Sequence, residues 1–124
     1  MEIHDILKSV IDADDMPVVL CDINHTIVYM NPSAIKRYSK YGGAELIGHS
    51  LLACHNEESN SIIRMVLAWF EENKKNNKVF TLHKESENKD IYMVALRDKN
   101  GNLIGYYEKH ECRNPEIKPR YSMD

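Results

Sequence analysis

The chain has 124 residues, of which 43% are apolar, and this is enough to bury the core of one modest domain. Its 16 Lys and Arg against 19 Asp and Glu give a net charge of −3, with both signs scattered along the sequence. A basic surface for nucleic acid or for an anionic membrane is therefore not expected. No stretch approaches the about 20 apolar residues of a membrane span, and the first residues do not read as a secretory signal. We expect a cytoplasmic protein.

The three cysteines, Cys21, Cys54 and Cys112, are odd in number and lie far apart in the sequence. Their separation lacks the C-x-x-C spacing of a zinc site. We therefore expect reduced thiols, with neither a disulfide framework nor a structural metal.

The first part of the chain predicts a helix followed by a β-hairpin. Apolar residues at helical spacing predict a flanking helix over residues 1–12. The β-branched run 18–23 and the segment 26–30 predict two strands. Asn24-His25 is the turn between them, and we expect Asn24 to adopt the left-handed backbone because Asn tolerates it.

The middle of the chain is predicted to be helical. Asn31-Pro32 is a typical helix start, because Asn caps free N–H groups and proline at the first position loses none that is needed. After short helical pieces, a longer helix is predicted from Ser59 to Lys75. Its expected core-facing stripe is Ile62, Met65, Val66 and Trp69, widened by Ile63, Leu67 and Phe70.

The last part of the chain predicts three strands, over 79–84, 91–97 and 103–110. Asn100-Gly101 between the last two is the strongest hairpin signal in the sequence. Hairpins at both ends with helices between them indicate an α+β fold, a five-stranded antiparallel sheet with helices packed on one face. The polar tail, residues 112–124, contains two prolines and is expected to be disordered.

Residues 13–111 resemble a PAS domain. The likeness rests on the segment 22–34, on Glu45-Leu46-Ile47-Gly48 and on the closing hairpin 97–105, in this order and at this spacing. The stretch 48–59 is similar to that of bacterial PAS modules found beside haemerythrin-like domains. The resemblance implies the PAS fold and one sensor domain behind a flanking helix.

The resemblance also implies a module that binds and reports and is not an enzyme. The residues after His110 differ from the Asp-x-Thr-like element and connecting helix through which PAS sensors pass signals to an effector. Output is therefore expected through a protein partner or a homodimer, in signal transduction or transcription regulation. The helix residues Ile3, Leu7 and Val10 are the expected dimer interface. A purely structural dimerisation domain with a filled core is an alternative.

PAS domains use their pocket for haem, flavin or small metabolites, so each cofactor needs its own residues. The photochemical flavin type needs Cys in an Asn-Cys-Arg-like motif, whereas Cys54 lies in Ala53-Cys54-His55, and flavin is not favoured. Haem is the second alternative, with His55 or Cys54 as the axial ligand, although a loop role for His55 is favoured. As a nucleophile and base, Cys54 and His55 lack an orienting group, so catalysis is not expected. The sequence leaves the identity of the cofactor undetermined.

The resemblance places a largely apolar pocket between the helices and the sheet, suited to a small apolar ligand. Tyr29 and His55 are its expected polar groups, and Val66→Trp is expected to fill it. The expected lining consists of Tyr29, Ile47, Leu51, Leu52, His55, Ile62, Val66, Trp69, Phe80 and Met93.

Overall fold

The computed structural model describes residues 1–122, and within them helices and strands follow one another in the predicted order. The helices are α1 (Ile3–Asp12), α2 (Pro32–Arg37) and α3 (Glu57–Glu72). The strands are β1 (Val19–Asp22), β2 (Ile27–Met30), β3 (Lys78–Lys84), β4 (Lys89–Arg97) and β5 (Leu103–Cys112). Between α2 and α3 the chain forms three short 3₁₀ turns, Ser39–Tyr41, Gly43–Leu46 and Leu51–Cys54.

The five strands form one antiparallel sheet in the order β2-β1-β5-β4-β3, which confirms the predicted sheet. At the centre of the sheet, β1 of the N-terminal hairpin pairs with β5, the last strand of the chain. This pairing needs Gly105, because a Cβ at that position would collide with the carbonyl oxygen of Cys21. The N-terminal hairpin is thereby attached to the three C-terminal strands.

The hydrophobic core lies between one face of the sheet and helices α2 and α3, as predicted. Alternate residues of the strands point to this inner face, because strand side chains alternate between the two faces. The core residues are Cys21, Ile27, Met30, Ala34, Ile63, Leu67, Phe70, Met93 and Tyr106.

Helix α3 confirms the predicted long helix, which begins and ends slightly earlier than expected, and its core-facing side is centred on the residues predicted only to widen the stripe. Its buried residues are Asn60, Ile63, Leu67 and Phe70, whereas Ile62, Met65 and Trp69 of the predicted stripe are exposed. The helix carries two adjacent apolar stripes, so periodicity alone does not decide which one faces inward. Asn60 fixes the rotation, since its buried Nδ2 donates to the carbonyl of Leu52 at 2.9 Å.

The turn between β1 and β2 has its left-handed residue one position later than predicted. His25, not Asn24, has a positive φ of 67°. Asp22 organises this turn, because its Oδ1 accepts from the N–H groups of Asn24 and Thr26. The His25 ring is held in place by Tyr106, whose hydroxyl lies 2.8 Å from Nδ1.

The predicted tail, residues 112–124, begins inside β5, because that strand runs through Cys112. Arg113 is also tied down, since its N–H donates to Asn88 and its guanidinium donates to Asp90 and Tyr92. Residues 114–122 form no helix or strand. Disorder of the tail stays a prediction, and its last two residues lie outside the described part of the chain.

The buried amide of Asn31 joins three segments of the chain. Its Oδ1 accepts from the N–H of Val18 and from the N–H of Ala34, both at 2.9 Å. Its Nδ2 donates to the carbonyls of Ile11 and Met16, at 3.0 and 3.1 Å. One side chain therefore connects the end of α1, the entry to β1 and the first turn of α2.

We expect Asn31→Ala to lower the free energy of unfolding by about 3 kcal/mol, because it leaves several buried backbone groups without a partner. Asn56→Ala is the matched control, since Asn56 also caps a helix but is exposed and accepts only from Ser59. Its expected loss is about 1 kcal/mol, that of an ordinary N-cap. Urea denaturation followed by circular dichroism measures both, and equal losses would contradict this role of Asn31.

Candidate functional site

A cavity of about 410 Å³ lies between the inner face of the sheet and the segment from α2 to the start of α3. Apolar side chains form much of its wall. They come from the segment before β1, from β1 and β2, and from the 3₁₀ turns: Pro17, Val19, Ile27, Met30, Leu46 and Leu51. The cavity falls within the usual range of small-molecule sites.

The polar part of the wall comes largely from β5. Tyr106, Glu108 and His110 occupy alternate positions of this strand, and all three line the cavity. Glu108 and His110 are not among the residues predicted from the sequence to line the pocket. The sequence does contain a signal for them. Alternate residues of a strand point to the same face, so a strand that turns Tyr106 inward also turns Glu108 and His110 inward.

Glu108 borders the cavity with 29% of its side chain accessible. Protein atoms surround the rest of the side chain, and this burial raises the pKa of the carboxyl group, while His55 and Lys89 act in the opposite direction. The Oε2 atom lies 4.0 Å from His110 Nε2. The site therefore contains a carboxyl group that is costly to ionise without a partner.

His110 is 9% exposed, and burial lowers its pKa to about 4, with Lys89 and Arg37 adding to the effect. The imidazole is thus neutral at physiological pH. Its Nδ1 has no hydrogen-bond partner among the residues that the structure describes. Buried polar atoms without a partner are uncommon in folded proteins.

His55 and Cys54, the predicted haem-ligand candidates, both line the cavity. The Nδ1 atom of His55 lies 3.0 Å from the carbonyl of Leu51, and a carbonyl only accepts, so Nδ1 carries a proton. In the neutral ring Nε2 is then free to accept a hydrogen bond. Within residues 1–122, no group of three or more His, Cys, Asp or Glu side chains is arranged to hold a metal ion.

Of the ten residues predicted to line a pocket, the structure brings only Leu51 and His55 to the cavity. Their contact with a ligand stays a prediction. The other eight lie elsewhere: Tyr29, Ile47, Leu52, Ile62, Val66, Trp69, Phe80 and Met93.

The alternation of side chains along a strand accounts for two of these residues. Tyr29 and Phe80 are on the outer face of the sheet, because their neighbours Met30 and Val79 take the inward positions. On that face the hydroxyl of Tyr29 donates to Asp12, and Phe80 packs beside Tyr92.

The remaining six differ in exposure. Ile47, Ile62 and Trp69 are exposed. Met93 is buried in the core, and Leu52 and Val66 pack against it without reaching the cavity. Because Val66 does not line the cavity, Val66→Trp is no longer expected to fill it.

The predicted interface residues Ile3, Leu7 and Val10 are 66%, 57% and 68% exposed, and α1 has no buried residue. The end of the helix is nevertheless held to the domain through Asp12 and the carbonyl of Ile11. An apolar strip is left uncovered on α1, and its role in dimerisation stays a prediction. None of the helices in residues 1–122 combines the length and apolar character needed to cross a membrane.

The family model of the PAS domain matches residues 15–108, which is more than half of the chain. A comparison with curated protein sequences gave no match. The narrower likeness to modules beside haemerythrin-like domains stays a prediction.

Solved structures of the same fold include several sensor proteins. The PAS domain of a protein from Colwellia psychrerythraea is 15% identical, with a TM-score of 0.66 over 90% of this chain and 97% of that one. A sensory box sensor histidine kinase from Vibrio cholerae is 11% identical, with a TM-score of 0.61 over 86% and 89%. The Aer2 receptor from Vibrio cholerae, described as a dual PAS-heme oxygen sensor, is 17% identical, with a TM-score of 0.51 over 76% and 90%. At these identities the likeness shows the fold, and it confirms the predicted PAS fold.

We expect the buried His110 to make the protein less stable as the pH falls from about 6.5 to about 4. In this window the unfolded chain binds a proton at residue 110 that the folded chain does not, so stability is lost on acidification. The free energy of unfolding should fall by about 3 kcal/mol more in the parent than in His110→Phe. Urea denaturation at pH 7, 5.5 and 4 measures the difference.

The exposed residue His49 provides the control, because His49→Phe should keep the pH dependence of the parent. An identical pH dependence of the parent and His110→Phe would show that His110 is not buried in its neutral form.

Proposed function

The chain belongs to the PAS domain family, and we propose that it is a sensory module that binds a small, largely apolar ligand and passes the signal through a homodimer or a protein partner. The observation that carries this proposal is the cavity of about 410 Å³ between the sheet and the helical segment, with its mostly apolar wall. PAS domains are typically sensory modules and not enzymes. We accordingly propose a role in signal transduction or transcription regulation without catalysis.

The size of the cavity favours a ligand over a purely structural role. A protein interior is normally packed as closely as an organic crystal, and an unfilled apolar volume forfeits dispersion contacts. A small apolar molecule in this cavity would restore those contacts with residues such as Met30, Leu46 and Leu51. A domain that only dimerised would gain stability by filling the same volume with its own side chains.

Haem is the second candidate, and one observation favours it. The bond from Nδ1 of His55 to the carbonyl of Leu51 is the arrangement that orients a ligating histidine and leaves Nε2 for a metal. Against it, no Lys or Arg of the described chain lines the cavity, so haem propionates would find no cation in its wall. Native mass spectrometry of the purified protein separates the candidates, because it reports the ligand mass and the oligomeric state together.

We expect Leu51→Trp to weaken binding of N-phenyl-1-naphthylamine, which is uncharged at neutral pH, by about tenfold or more. The indole would occupy the volume that the probe needs. Ile62→Trp is the matched control, because Ile62 is exposed on α3 away from the cavity, and it should bind the probe like the parent. Fluorescence titration measures binding, and near-ultraviolet circular dichroism confirms that both variants are folded. Unchanged binding by a folded Leu51→Trp would place the ligand outside this cavity.

We expect the double variant Leu7→Glu/Val10→Glu to be monomeric, because charges on the uncovered side of α1 would prevent its burial against a second copy. This variant is preferable to removing residues 1–12, since the deletion would also remove the groups of Ile11 and Asp12 that bond to the domain. Sedimentation velocity measures the mass. Ile117→Glu, which alters an exposed apolar residue of the tail, should stay dimeric. A dimeric α1 variant would show that the interface lies elsewhere.

A further inference from the structure

Within the described chain, the wall of the cavity contains an acidic side chain without a strongly basic one. Among residues 1–122, Glu108 supplies its only carboxyl group, and no Lys or Arg lines it. The nearest basic group, Nε2 of His110, is 4.0 Å from the carboxylate. That distance is too long for a hydrogen bond, and the ring is neutral at physiological pH because burial lowers its pKa to about 4.

Three cationic side chains lie close enough to His110 to lower its pKa, but all of them pair with a different carboxylate, that of Glu87. Arg37 donates to both of its oxygens, at 2.7 and 2.9 Å, and Lys84 lies 2.8 Å from Oε2. The buried ammonium of Lys89 is 3.6 Å from the same oxygen. Glu108 therefore faces the cavity without a cation in direct contact, although His55 and Lys89 are near enough to lower the pKa of its carboxyl group.

Aromatic rings stand in the same wall. Tyr38, Tyr41 and Tyr106 all line the cavity. Burial raises the pKa of Tyr38 and of Tyr106, and the nearby Glu108 carboxylate raises it further, which places both rings within electrostatic reach of that residue. The ring of Tyr41 already has Lys40 Nζ 5.6 Å from its centre, whereas within residues 1–122 no cation lies over the ring of Tyr38 or Tyr106.

We propose that the cavity selects a ligand whose apolar body ends in a cationic nitrogen, a protonated amine or a quaternary ammonium, and that Glu108 pairs with this group. A carboxylate together with aromatic faces is the lining that attracts an organic cation, through Coulomb attraction and cation–π contact. An anionic ligand would find no Lys or Arg of the described chain in the wall to compensate its charge. The proposal rests on the ligand-binding function proposed above, and it names the chemical class of that ligand.

The cost of burial explains why the pair would determine selectivity. A carboxylate removed from water without a partner is destabilised, and burial raises the pKa of Glu108 for this reason. A cationic ligand supplies the missing charge, whereas an alcohol of the same shape can donate a hydrogen bond but leaves the negative charge uncompensated. The apolar wall contributes equally to the affinity for the amine and for the alcohol. The difference between the two affinities therefore measures the contribution of Glu108.

Calorimetric titration at pH 7 with three probes of matched shape tests the proposal: 2-phenylethylamine, 2-phenylethanol and 3-phenylpropionate. The parent should bind the amine at least about tenfold more tightly than the alcohol, and the propionate most weakly. Glu108→Gln should bind the amine about 10- to 100-fold more weakly than the parent does, and the alcohol equally well. Glu72→Gln is the control, because it makes the same charge change at an exposed position of α3 and should leave amine binding unchanged.

The comparison of probes on the parent needs no variant, so the proposal is testable even if Glu108→Gln does not fold. Equal binding of amine and alcohol would overturn it, and so would unchanged amine binding by a folded Glu108→Gln. If the three probes fail while N-phenyl-1-naphthylamine binds, the charge selectivity is wrong and the proposed function stands. If no probe binds at all, both proposals fail.

Discussion

The buried amide of Asn31 is the contact on which the arrangement of the domain depends. It satisfies backbone groups at the end of α1, before β1 and at the start of α2, so these segments meet at one point. Because α2 begins there, the helical segment that follows is directed across the inner face of the sheet. The cavity is the space left between that segment and β1, β2 and β5.

The same contact relates the cavity to α1. Pro17 and Val19 line the cavity, and the N–H of Val18 between them donates to Asn31. On its other side the amide of Asn31 holds the carbonyl of Ile11 at the end of α1. A ligand that displaced this part of the wall would therefore act on the segment that positions the helix, through hydrogen bonds and not through a flexible linker.

Glu87 and Glu108 differ in how their carboxyl groups are paired. Glu87 collects three cationic side chains near the end of the sheet, and this leaves Glu108 unpaired at the cavity. The two carboxyl groups consequently behave in opposite ways. Contact with Arg37 and Lys84 lowers the pKa of Glu87 to about 2, whereas burial raises the pKa of Glu108. The strongly paired carboxylate supports the structure, and the unpaired one is available to a ligand.

The order of the elements, the antiparallel sheet and the PAS resemblance were predictable from the amino-acid sequence alone. The signals for these features are local: Asn31-Pro32 begins a helix, Asn100-Gly101 turns a hairpin, and apolar alternation marks a strand. These signals depend on backbone preferences within a few residues, so they survive without knowledge of the tertiary fold.

Which side chains meet was not predictable in this way, because it depends on how the elements pack. Period and spacing leave the rotation of a helix and the inward parity of a strand undetermined, so Ile63 replaces Ile62 in the core and Met30 takes the inward place expected for Tyr29. Glu108 and His110 went unnoticed for the same reason, because a titratable residue on a strand normally faces water. Whether such a residue lines a cavity depends on which strands pair with it and on what packs above it, and those contacts join residues far apart in the sequence.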